Sequence, residues 1–244
     1  HNRTDFADLF TLSPTTTLLL ADRVVRNRTE AAAGYAQADL NLTDQFKLTA
    51  GIRFIWQRPV LLGAISLDLI VVLMAGVALL TPIFARDILH VGPQGFGLLR
   101  AAFGVGALLM AVYLSRRPIV RHGGRWMFAA VALFGLCTLT FGLSKIVWLS
   151  ALALFIGGGA DMISVNIRQT LIQLATPDHM RGRVSSVSML FIGASNELGE
   201  AYSGVMVRLL GAIGAAVFGG FGALAATGAW AAMFPGLRKA DRLS

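Results

Sequence analysis

"VLLGAISLDLIVVLMAGVALLTPI", residues 60–83, is apolar from end to end apart from one acid, Asp68. A helix needs about 20 such residues to cross about 30 Å of hydrocarbon, and inside that layer it must satisfy every backbone polar group itself. The stretch therefore reads as a membrane-spanning helix. Five more segments of similar character follow, at about 96–115, 126–143, 147–170, 185–206 and 209–233, separated by turn signals such as "ARDILHVGPQG", "SRRPIVRHGGR", "TPDHMRGR" and "RLLG". The fold class expected from them is all-α: a six-transmembrane-helix bundle over residues 55–244.

Composition agrees. At 55% hydrophobic residues, 14% charged residues and a mean hydropathy of +0.67, the chain lies outside the range of soluble domains. The net charge of +8 suggests nucleic acid in a soluble protein, but no basic run is interleaved with stacking aromatics, and in a membrane protein such an excess reports cytoplasmic turns. Arg53 and Arg58 precede the first span, Arg116, Arg117, Arg121 and Arg125 lie between the second and third, Arg181 and Arg183 between the fourth and fifth, and Arg238, Lys239 and Arg242 follow the sixth. All fall on one side of a six-span chain, against Arg86, Lys145 and Arg208 on the other. The positive-inside rule then puts both ends of the bundle, including the carboxy terminus, in the cytoplasm. A multi-pass protein of the bacterial inner membrane is expected.

Small residues crowd several spans, as in "FGVGALLMA", "FIGGGAD" and "FGGFGALAATGAWAA". Helices in lipid associate by close packing, which such stretches allow. The lone Cys137 sits in an apolar span, and His90, His122 and His179 lie on three different loops, so no metal is expected. There is no phosphate-cradling loop, zinc-protease helix or nucleophile elbow, and hence no cofactor or enzymatic chemistry is expected.

Residues 1–54 have another pattern. In "YAQADLNL" and again from Phe46 to Phe54, apolar and polar residues alternate, a period of two that indicates a hairpin. The segment resembles the barrel strands of TonB-dependent siderophore receptors. Two strands cannot close a barrel, so a fusion is one reading; a polar, partly disordered cytoplasmic extension is the other. A non-matching amino-terminal segment, 1–54, is thus expected ahead of the bundle.

Charged groups inside spans are costly and mark function by default. Asp68 lies in the first span, Asp161, Asn166 and Arg168 in the fourth, and Asn196, Glu197 and Glu200 in the fifth. Asn196 and Glu200 are i,i+4 and Glu197 and Glu200 i,i+3, which makes one acidic stripe. Side by side in a low dielectric, two carboxylates repel, and one is driven to hold its proton. Two readings stand: the acids line a cavity and exchange protons, or they pair with Arg100 or Arg168 to fix packing. Asp68 and Asp161 join the candidate cavity residues, with Asn166. Arg168 is within snorkelling reach of the cytoplasmic surface, and Arg100, near the outer end of the second span, reads as packing or snorkelling ahead of contacting the solute.

The stretch from Arg58 to Ala111, the loop "TPDHMRGRVSSVSMLFIGASNELGE" and the order of spans resemble the carboxy-terminal half of a major facilitator superfamily transporter, in its enterobactin-exporter-like branch. The resemblance implies half of a twelve-helix fold, proton-coupled efflux of siderophore-like or other small amphipathic compounds, and a solute site at the midplane between two six-helix halves. The missing amino-terminal half or a second copy would be the partner, beside the solute and the bilayer. It also implies a cytoplasmic loop gate, mapped to Arg121, Gly123 and Arg125 in "RHGGR" and Arg181 and Arg183 in "MRGRV"; Val120 stands where the family has an acid. The alternative is a truncated or fused membrane protein with at most an assembly role.

Overall fold

A computed structural model describes residues 52–75, 77–119 and 122–238, within the second of two units, Ala50–Ser244. Among these residues there are helices and no strand. Helix α1 runs Pro59–Ala75 and α2 Val77–Ile83, followed by a π-helical turn, Phe84–Ile88. Then come α3 (Gly92–Arg116), α4 (Gly123–Leu143), α5 (Val147–Ala175), α6 (Arg181–Met233) and the short α7 (Pro235–Arg238).

Local chemistry explains the boundaries. Pro59 opens α1, where a missing N–H costs nothing. Pro82 lies in α2 just ahead of the π turn, where the Leu89 amide reaches back five residues to the Phe84 carbonyl at 2.8 Å. Pro177 ends α5 by holding Thr176 in an extended conformation (φ −107°, ψ 123°).

Helix α6 makes the turn expected at "RLLG" without a loop. Its only non-helical residue is Gly211, at φ 73° and ψ 172°. Gly199 before the break and Gly219 after it both lie against Val72–Ala75 of α1, so the helix folds back on itself at one residue. Five helices are long and apolar enough to cross a membrane among the described residues, and the last of them, bent at Gly211, supplies the fifth and sixth expected spans. That backbone region is open to glycine and almost nothing else. Gly211→Ala should therefore lower stability in detergent by about 1–3 kcal/mol through the backbone alone, since no atom stands within 4 Å of the added Cβ. Gly193→Ala, equally open but helical, should leave stability unchanged or raise it by up to about 1 kcal/mol. Equal melting of the two variants would place the bend elsewhere.

The helices pack α3 on α5, α5 on α4, α4 on α6 and α6 on α1, whereas α1 and α5 meet at few points. Helix α4 is central, 56% of its span being buried against 17% for α3. Two apolar clusters fill the bundle. One, with Leu67, Val71, Met127, Ile167, Leu171 and Leu237, lies toward the end bearing Arg58, Arg116, Arg117, Arg181 and Arg183. The other, with Leu80, Phe84, Leu99, Phe141 and Leu154, lies toward Arg86, Lys145 and Arg208. The polar groups of the spans sit between these plugs.

The expected hairpin lies outside the described residues except for its tail. Residues 52–56 form a helical turn, so Ile52, Arg53 and Phe54 are helical instead of extended. Alternation over three residues carries no weight against the helix that follows.

Candidate functional site

Asp68 and Arg168 form a buried ion pair joining α1 to α5. Arg168 does not snorkel, and it is the partner of Asp68, not of the fifth-span acids. Its Nε is buried with no hydrogen-bond partner. Two residues before Asp68, the Trp230 indole donates to Ser66 Oγ at 2.9 Å, and Ser66 donates to the Leu62 carbonyl at 2.6 Å, fixing α1 to the second arm of α6.

A cavity of about 410 Å³ opens on the far side of this pair from the arginine-rich end. Its charged and polar lining is Arg100, Asp161, Asn196 and Glu200, with Thr81; its aromatic wall is Phe96, Phe103 and Phe134. A second space of about 10 Å³ lies between α1, α4 and α5 and is lined by Asp68, Asp161 and Ser164 among apolar neighbours. Asp161 faces both.

The sequence-derived candidates thus divide. Asn196 and Glu200 share the cavity wall with Gly199 between them, and Glu197 does not line it; Asn196, Glu197 and Glu200 are all exposed. Asn166 is half-buried and lines neither space; its carbonyl accepts the Thr170 hydroxyl at 2.8 Å. Arg100 lines the cavity. Of the loop residues, Arg121 lies outside the described residues, Gly123 is buried at the start of α4, and Arg125 is exposed beside it. Arg181 pairs with Asp178 at 3.0 Å and donates to the Gln173 carbonyl at 3.3 Å, which closes the α5–α6 turn; Arg183 lies 3.6 Å from the Met180 sulfur.

Sequence reasoning missed the aromatic wall and Ser164. Phe96, Arg100 and Phe103 recur at i, i+4 and i+7 on α3, a stripe that was readable. Phe134 and Ser164 carried no signal, because an apolar span does not reveal which of its faces meets a cavity.

Among the described residues, an all-helical membrane bundle with a cavity that carries charged groups on an apolar wall defines the class: a multi-pass membrane protein built as the major facilitator proteins are. The chain belongs to the transmembrane secretion effector family, whose sequence model matches residues 17–243. That match takes in most of the stretch read as barrel-like, and the likeness to a receptor barrel finds no support. The family is one of transporters, not of enzymes. Over 178 residues the chain is 30% identical to the enterobactin exporter EntS of Citrobacter koseri, an alignment covering 72% of this chain and 39% of the relative. It is 29% identical over 178 residues to EntS of Escherichia coli O1:K1 / APEC and 29% over 184 residues to that of Shigella boydii serotype 18, with 72% and 39% covered in both cases. The chain spans about two fifths of the length of the curated relatives it matches. No solved structure matches it.

Proposed function

We propose that this bundle is one half of a proton-coupled efflux transporter of the bacterial inner membrane, working with a second six-helix bundle, from a missing amino-terminal half or another copy. The observation that carries the reading is the cavity, in which two carboxylates and a guanidinium share a wall with three phenylalanines. Such a lining suits a small amphipathic solute bearing aromatic or apolar surface and hydrogen-bonding or charged groups. A siderophore-like compound has that chemistry, and the relatives are named for enterobactin export. The charge bias supports a cytoplasmic side for the arginine-rich turns and the carboxy terminus in this reading. Asp161 and Glu200 bind the coupling protons in this reading. Glu197, Asn166 and the gate residues Arg121, Gly123, Arg125, Arg181 and Arg183 act outside the cavity, in packing or at the cytoplasmic turns. The same reading divides the sequence into an amino-terminal segment, 1–54, and the bundle, 55–244.

The test is efflux from proteoliposomes holding the bundle with its second half. Asp161→Asn and Glu200→Gln should each lower proton-driven efflux about tenfold or more and flatten its pH dependence. Glu197→Gln should retain both. Full, pH-responsive efflux in Asp161→Asn together with Glu200→Gln would remove proton coupling from the cavity acids.

A further inference from the structure

The main cavity and the buried ion pair lie at different depths of the bundle. Val72 lines the cavity and Asp68 is one turn closer to the arginine-rich end of α1; on α5, Asp161 lines the cavity and Arg168 lies two turns closer to that same end. The gap between them is bridged by a space of about 10 Å³ whose polar walls are Asp68, Asp161 and Ser164. A water needs about 10–15 Å³ and two to four polar partners, and both conditions are met there. We propose that Asp161 passes protons between the cavity and the Asp68–Arg168 pair across a single water held by Asp68, Asp161 and Ser164. The proposal rests on the reading of the cavity as a proton-exchanging site.

The step balances. A proton from cavity water binds the Asp161 carboxylate; Asp161 donates to the bridging water, which donates to Asp68, so that Asp161 is a carboxylate again and Asp68 a neutral acid. Arg168 keeps its charge and loses its counter-ion. Asp161, restored as an anion, lies two turns toward the amino terminus on the same face of its own helix, the direction in which long side chains on a helix lean. The unpartnered Arg168 Nε provides a free donor for a contact with it. The ion pair ties α1 to α5 where little else does, so partner exchange by Arg168 frees the seam between them. The other charged groups facing Asp161 across the cavity are Arg100 of α3 and Glu200 of α6; α4 contributes Val131 and Phe134 to the two spaces and no charge.

The test needs no transport. The chain in lipid nanodiscs is given a pH jump, and the carboxylic C=O stretch of protonated Asp68 is followed by time-resolved infrared difference spectroscopy. The band is assigned by its loss in Asp68→Asn or, if that variant does not fold, by its displacement in Asp68→Glu. Asp161→Asn should slow its appearance about a hundredfold, with Asp161→Glu restoring most of the rate. Ser164→Ala, which removes one partner of the water, should slow it about fivefold. An unchanged rate in either Asp161→Asn or Ser164→Ala overturns the proposal. Because the readout is proton arrival, a failed relay leaves the efflux reading standing, whereas normal proton arrival with efflux indifferent to the cavity acids would sink that reading and leave the relay.

Discussion

Gly158→Leu is expected to abolish the folded bundle, and Gly106→Leu to do so from the opposite side of the same crossing. At Gly158 of α5 an added Cβ runs into the carbonyl of Phe103 on α3; at Gly106 of α3 it runs into the carbonyl of Phe155 on α5. The contacts are reciprocal and both obstacles are backbone, so no rotamer change relieves them. Overpacking typically costs about 1–3 kcal/mol where side chains can yield. Here the two helices must separate along their main interface, and since lipid supplies no hydrophobic drive to hold them, the packing lost is the packing that associated them. Recovery of monodisperse protein from detergent should fall to background for both variants. Gly104→Ala and Gly97→Ala, where nothing stands within 4 Å, should behave as wild type or gain up to about 1 kcal/mol of helix propensity. A Gly158→Leu protein melting like wild type would mean that α3 and α5 do not cross there.

That crossing was half legible. The small-residue stretches "FGVGALLMA" and "FIGGGAD" announced close packing, and hydropathy located every span, because both are properties of a segment read by itself. Which stretch meets which is a property of two segments. The same limit explains Arg168. A cation seven residues from the end of α5 has the same spacing whether it snorkels or pairs, and its partner Asp68 is a hundred residues away on a helix that touches α5 at little more than that point. It explains the acid stripe too. Residues i and i+4 differ by about 40° around a helix and i and i+3 by about 60°. On α6 that difference separates Asn196 and Glu200, on the cavity wall, from Glu197, outside it. At "RLLG" the charge and the glycine signalled a turn correctly, but a turn made by one residue and a loop of several have the same composition. The helical start at residue 52 was obscured by an alternation that continued up to Phe54.

Breaking the Asp68–Arg168 pair one side at a time should cost more than removing it altogether. Asp68→Leu leaves a guanidinium buried with its Nε already unpartnered, and Arg168→Met leaves a carboxylate in the same apolar surroundings of Leu67, Val71 and Ile167. Loss of one member of a buried pair typically costs about 3–5 kcal/mol, because the charge that remains has no water to return to. Asp68→Leu/Arg168→Met together remove both desolvated charges and offer similar volume, with the unbranched Met able to fill the irregular space left by the guanidinium. Replacement of a buried pair by packed apolar groups is typically neutral or stabilising by about 1–4 kcal/mol, so the double variant should unfold in detergent at or above the wild-type temperature while each single variant falls well below it. The coupling free energy from that cycle then measures the pair directly. Single variants within about 1 kcal/mol of wild type would show that the two charges reach water, and a latch open to water could hold no seam between α1 and α5. A double variant that is stable yet no longer responds to proton would separate the two demands on these residues: the apolar neighbours already hold the helices together, and the charges are kept at a cost in stability because the seam has to open.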